Sequence, residues 1–127
     1  MQEKYLFEYA VLRVVPKVER EEFLNVGVVL YCPKQKFLQV RFHLDGERIK
    51  AFACELDIPE IGQYLQAFEK ICAGTKDSGP IGKLTVADRF RWLTATRSTV
   101  VQTSKTHTGL CNDVKETLDR LYAQLVL

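Results

Sequence analysis

The sequence predicts an α+β domain, an antiparallel sheet of three to four strands with helices packed mainly on one face. Three observations lead there. Residues 4–44 hold three strand-like runs joined by links shorter than the dozen or more residues a parallel crossover needs. After Leu44 the apolar spacing changes from two toward 3.6. Helix-start residues then recur at Asp45, Asp57, Thr85 and Asp113.

The first strand, residues 4–15, places Tyr5, Phe7, Tyr9, Val11, Arg13 and Val15 on one side and Leu6, Glu8, Ala10, Leu12 and Val14 on the other. Both sides are largely apolar, the mark of a central strand covered on both faces, and Pro16 ends it by removing a ladder donor. A charged link, residues 17–22, leads to a valine-rich second strand over 23–32, stopped by Pro33. The turn Pro33-Lys34-Gln35-Lys36 joins it to a third strand, residues 37–44, with Leu38, Val40, Phe42 and Leu44 facing one way and Phe37, Gln39, Arg41 and His43 the other.

Asp45 then caps a short helix carrying Ile49, Phe52, Ala53 and Leu56 on one face. A longer helix starts at Asp57, with Pro59 in its first turn and Glu60 completing a capping pattern; Ile58, Ile61, Leu65, Phe68 and Cys72 form its stripe, and Gly74 stops it. Residues 75–82, with Gly79, Pro80 and Gly82, read as a mobile surface loop. Thr85 and Asp88 cap a third helix to about residue 95, with Val86, Phe90 and Leu93 inward and Arg89, Arg91 and Trp92 on other faces. Residues 98–104 read as a fourth strand, and Asp113 and Glu116 open a terminal helix with Val114, Leu118, Leu121, Tyr122 and Leu125 on one side.

A chain of 127 residues fits a single domain over 1–127, and 46% hydrophobic with 27% charged residues excludes a disordered or fibrous protein. No apolar run approaches the roughly 18 residues a membrane span needs, and the opening lacks the basic and apolar regions of a secretory signal, so the expected setting is the cytoplasm, without membrane. Cys32, Cys54, Cys72 and Cys111 are scattered, with no Cys-x-x-Cys pair and no histidine at zinc-finger spacing; buried free thiols in a reducing compartment are the expectation, with no metal and no cofactor.

Charge is unevenly spread. Residues 83–107 carry Lys83, Arg89, Arg91, Arg97 and Lys105 against Asp88 alone, so the formal +2 divides as −1 before this block, +4 within it and −1 after it. Guanidinium groups fit phosphate oxygens as a bidentate fork, and a hydroxyl or imidazole adds a hydrogen bond. The expected ligand site therefore gathers Arg89, Arg91, Arg97, Ser98 and His107, joined by the strand-borne Arg13 and Arg41, with Trp92 as a stacking surface for a base. Asn25 and His43 are further polar residues set in apolar strands.

Catalytic signatures are missing: the chain has no Gly-x-Ser-x-Gly, no Walker-type loop, no dinucleotide fingerprint and no His-Glu-x-x-His. The leading expectation is a non-catalytic binding module for a phosphate-bearing ligand or nucleic acid. A small enzyme using His107, in a turn-like Thr106-His107-Thr108-Gly109 run with Cys111 near it in sequence, is an alternative.

Two blocks resemble the bacterial domain of unknown function 3037 family. In YAVLRVVPKVEREEFLNVGVVLY, residues 9–31, the matching positions are Arg13, Pro16, Glu22, Asn25 and Gly27; in RFRWLTATRSTVVQTSKTHTG, residues 89–109, they are Arg89, Phe90, Leu93, Arg97, Ser98, His107 and Gly109. The segment after Gly109, Leu110-Cys111-Asn112-Asp113, departs from the more polar run expected there. The resemblance implies a bacterial cytoplasmic protein with no transferable activity. Members are often encoded beside a kinase-like protein of the HipA type, so an accessory protein docking on a HipA-like kinase is a further alternative; oligomeric state stays open.

Overall fold

The computed structural model describes residues 4–95, 97 and 99–127, apart from the side chain of Val18. Five strands form one antiparallel sheet: β1 (Tyr5–Val14), β2 (Leu24–Cys32), β3 (Phe37–Phe42), β4 (Val101–Thr103) and β5 (His107–Cys111). Four α-helices pack on it: α1 (Gly46–Phe52), α2 (Ile58–Ala73), α3 (Val86–Leu93) and α4 (Val114–Leu125). The sheet order is β3-β2-β1, with β4 and β5 sharing the far side of β1.

The α+β class and the central position of β1 agree with the sequence. A fifth strand is added. Residues 107–111 form β5 rather than a turn, and β5 pairs Tyr5–Cys111 through Tyr9–His107 while β4 pairs Leu12–Thr103 through Val14–Val101. Ser104 splices the two halves: its N–H donates to Val11 O at 2.8 Å, and its hydroxyl oxygen accepts from Val11 N–H at 2.9 Å while donating to Lys105 O. A buried hydroxyl thus stands in for the carbonyl that the break in the ladder removes, which satisfies a main-chain donor that would cost about 1–3 kcal/mol if orphaned.

The strand alternation sorts the apolar residues onto two faces. Ala10, Leu12, Val14, Val29, Tyr31 and Leu38 face α1, α2 and α3, meeting Ile49, Ile61, Leu65, Phe68, Phe90 and Leu93. Phe7, Val28, Leu30, Cys32 and Cys111 face α4, meeting Leu118, Leu121 and Tyr122. Three helices on one face and the terminal one on the other explain why both sides of β1 are apolar. A bulge leaves Val26 as the extra residue between Leu12–Gly27 and Arg13–Asn25.

All four caps form as read from the sequence: the side chains of Asp45, Asp57, Thr85 and Asp113 accept from the N–H groups of Arg48, Glu60, Asp88 and Glu116. Each such cap is worth about 1 kcal/mol. Gly74 ends α2 at φ +65°, where its N–H donates to the carbonyls of Lys70 and Ile71. The following segment is more tightly tied than its turn residues suggested: Asp77 pairs with Lys70 Nζ at 2.8 Å and accepts from Thr75 Oγ1 at 2.7 Å, and Lys70 above all holds its carboxyl well down, to about 2. No helix of the described residues is long and apolar enough to cross a membrane.

Candidate functional site

The arginines predicted to share one hollow are dispersed, and most are engaged. Arg91, on α3, reaches Glu8 of β1 as a two-pronged pair at 3.1 and 3.3 Å. Arg41, on β3, points to the opposite face, pairs with Asp119 of α4 at 2.9 Å and lies 4.3 Å over the Tyr122 ring; its hydrogen bond is the main reason the Asp119 carboxyl titrates below its ordinary range. Arg97 turns back on α3: its guanidinium donates to the carbonyls of Leu93 and Trp92 and lies 4.2 Å over the Trp92 ring. It serves the end of a helix whose carbonyls lack intrahelical donors, and the face of Trp92 it covers is not free for a base.

Arg13 stacks 3.9 Å over Phe23, and its Nε is buried without a hydrogen-bond partner among the described residues. The same holds for Oδ1 of Asn25, its cross-strand neighbour, so donor and acceptor complement each other on one rung of the β1–β2 ladder. The Asn25 amide also donates to Leu125 O at 3.1 Å, beside Arg48, which donates to Val126 O at 3.0 Å. These two residues hold the end of α4, which gives Asn25 a structural role. Ser98 lies outside the described residues.

His107 is exposed on β5, its ring 5.2 Å from that of Tyr9. Cys111, four residues along the same strand, is about 13 Å away at the rise of an extended chain, beyond hydrogen-bond reach. The His107 and Cys111 pairing considered from the sequence is therefore not assembled, and His107 lies on the α4 side of the sheet, away from Arg89 and Arg91.

Arg89 differs from the others. It makes no ion pair among the described residues, its Nη1 has only a long 3.5 Å contact to Gly82 O, and its buried Nε lacks a partner. Its guanidinium crosses the bare Cα of Gly74, where a β-carbon would collide with Nη1. Its contact is to Gly82 O and not to the end of α2, where the Lys70 and Ile71 carbonyls accept from the N–H groups of Gly74 and Thr75. Two positions along α3, about 200° around the helix, separate it from Arg91 and send the two side chains to different neighbours.

Arg89 borders a cavity of about 500 Å³ lying between β3, its preceding turn and the end of α2. Gln35, Lys36, Phe37, Gln39, Glu69 and Cys72 complete the part of the wall that bears on chemistry. Lys36 adopts φ +50° at the close of the hairpin turn, where its N–H donates to Pro33 O at 3.1 Å; glycine or asparagine occupies that region at lower cost. Burial pushes the Cys72 thiol up to about 12, with Arg89 opposing the shift, so it stays protonated near neutrality and is no nucleophile there. Sequence reasoning missed Lys36, Glu69 and Cys72. For Lys36 a signal existed, a tight hairpin turn with no glycine.

A family model described as protein of unknown function (DUF3037) matches residues 9–126. The chain belongs to the DUF3037 family. The match spans both sequence blocks and runs from within β1 to the end of α4, so the Arg89 cavity lies within it. No curated protein and no solved structure matches the chain.

Several motif residues of this DUF3037 chain have structural explanations. Phe90 and Leu93 are core, Gly109 passes under the Phe7 ring, Gly27 admits β3 at close range and Arg97 serves the end of α3. Among the described residues Arg89 is the motif arginine left without a carboxylate, a ring or a well-formed carbonyl contact, and it borders the 500 Å³ cavity.

Proposed function

We propose that the protein is a non-catalytic binding module of the bacterial cytoplasm that holds one phosphate group of its ligand at Arg89, with Lys36 as the second cation. The observation that supports this is the buried, unpartnered Arg89 Nε beside the 500 Å³ cavity, while Arg41 and Arg91 are spent on carboxylates. The Nη donors of a guanidinium without an ion pair are available to an acceptor in the cavity, and guanidinium–phosphate bonds are about twice as strong as neutral ones. Glu69 is the one carboxylate of the wall and opposes an anion; two cations against it leave the cavity positive. A single phosphate suits this arrangement better than a nucleic-acid backbone, which needs several free cations in a row.

Titration with inorganic phosphate, followed by the arginine Nε–H signals in NMR, tests the reading. A saturable shift of the Arg89 signal is expected, and Arg89→Gln should weaken binding at least tenfold, about 1.4 kcal/mol, the low end for a charged hydrogen bond. Unchanged affinity in that variant would overturn the assignment. Lys36→Gly is expected to separate stability from binding: relief of the left-handed residue raises stability by about 0.5–1 kcal/mol while phosphate affinity falls. Urea midpoints with the same titration read both changes; a variant that binds phosphate as well as the parent removes Lys36 from the site.

A second reading, an accessory protein docking on a HipA-like kinase, draws on one surface feature. Leu6 and Leu110 are cross-strand partners at the uncovered end of the sheet and stay 56% and 63% exposed. Two leucines make a small patch beside the several hundred Å² usual at interfaces, so the anion cavity leads.

A further inference from the structure

β3 ends the sheet on its side, and the cavity beside Arg89 touches Phe37, Leu38, Gln39 and Val40 in succession. Side chains alternate across a strand, so a space that meets four consecutive residues runs along the strand's edge and not over either face. The phase of the ladder follows from one bond: His43 N–H donates to Val26 O at 2.8 Å. Residues 37, 39 and 41 therefore turn their main-chain groups to β2, and Leu38 and Val40 turn theirs outward into the cavity.

An open edge is usually blunted by proline, a bulge, an interruption or a cover. The far side of the sheet is treated that way, divided into β4 and β5 around Ser104. β3 lacks the first three: six residues pair with β2 in unbroken register and contain no proline, and the end of α2 stands across the cavity from this edge. Its outward N–H and C=O groups, repeating about every 7 Å, match the main chain of an added extended strand. Lys36 and Arg89 flank the same edge and offer two positive charges, the complement of a phosphorylated side chain at −1.5 to −2.

We infer that the phosphate held at Arg89 is carried by an extended phosphopeptide that adds to the outer edge of β3 as a further strand of the sheet. This rests on the Arg89 reading and goes beyond it in naming the ligand class. Main-chain bonds to Leu38 and Val40 supply affinity with little regard to sequence, and Arg89 makes that affinity conditional on the phosphate.

A degenerate phosphoserine-centred peptide library, its unphosphorylated counterpart, the tightest peptide N-methylated at alternate residues, and inorganic phosphate are titrated against the full chain and two variants. The phosphopeptide is expected to bind at least tenfold tighter than inorganic phosphate and than the unphosphorylated peptide. Val40→Pro removes one outward N–H at an edge position that tolerates proline; it should erase the excess of peptide over phosphate affinity. N-methylation of the peptide should do the same with the parent protein, which decides the matter if the proline variant does not fold. Arg89→Gln should weaken peptide and inorganic phosphate alike. A phosphopeptide no tighter than phosphate, or tight binding indifferent to N-methylation, overturns strand addition while the anion site stands. Equal binding of the unphosphorylated peptide overturns the role of the phosphate, and failure of every probe, inorganic phosphate included, removes the Arg89 reading and this one together.

Discussion

Replacing Phe90 with alanine is expected to lower stability by about 3–5 kcal/mol, against less than about 1 kcal/mol for Arg91→Ala one residue along. Phe90 has no exposed surface, and its ring centroid lies 5.1 Å from that of Tyr31 on β2. Removing it opens a void where α3 meets the sheet and ends an aromatic contact that fixes the helix in place. Arg91 makes two bonds to Glu8, but its own side chain is 61% exposed against 18% for Glu8, so water competes for the guanidinium and solvates what its removal uncovers. For a domain whose total stability is about 5–15 kcal/mol, the first change removes a large share of it and the second little. Urea denaturation of both variants gives the comparison; equal losses would mean that α3 is held by its ion pair rather than by its core face. Because Arg89 precedes Phe90 directly, loss of the ring also frees the segment that aims the proposed anion contact, and phosphate affinity should fall with stability in Phe90→Ala but not in Arg91→Ala.

The elements were legible wherever the physics is local. The side chains of Asp45, Asp57, Thr85 and Asp113 bond to main chain three residues on, so the signal is contained in a four-residue window. The two-sided apolar pattern of β1 showed its central place because burial on both faces leaves no room for alternation. β5 was missed for a physical reason: in His107-Thr108-Gly109-Leu110-Cys111 only the last residue is buried, since the strand lies at the sheet's edge and its pairing comes from main-chain groups and from the Phe7 ring over Gly109. The Ser104 splice that makes β4 and β5 two pieces of one edge depends on Val11, 93 residues away.

The candidate site was less legible, because charge excess is readable and charge pairing is not. Arg91 finds Glu8 across 83 residues and Arg41 finds Asp119 across 78, and nothing near either arginine in sequence announces its partner. The basic block at residues 83–107 contained the residue that matters to the proposal, Arg89, among others spent on structure. Its companions in the cavity, Lys36, Glu69 and Cys72, come from β3's turn and from α2, which only the packing of α2 against β3 brings together.

Gly27→Ala is expected to destabilise the fold by about 2–3 kcal/mol through a clash that cannot relax locally. A β-carbon there would stand 2.7 Å from Arg41 O and 2.8 Å from the Phe42 β-carbon, a main-chain oxygen and the stem of a side chain, neither of which swings aside by changing rotamer. Gly27 pairs with Phe42 at a rung without mutual hydrogen bonds, where antiparallel chains approach most closely, and it follows the bulge at Val26, so the ladder next to it is already irregular. The strain must pass into β3, which moves away from β2 and carries the edge of the Arg89 cavity with it. Gly46→Ala is the matching control: its β-carbon meets nothing within 4 Å at the start of α1, and the change should stabilise by up to about 1 kcal/mol. Urea midpoints for the two, with amide exchange of Arg41 and His43 as the local readout, separate the cases. Similar midpoints for both alanines would show that β2 and β3 are not held at this spacing; a lowered midpoint with faster exchange at Arg41 and His43 for Gly27→Ala alone ties the glycine of the first family block to the strand whose outer edge borders the Arg89 cavity.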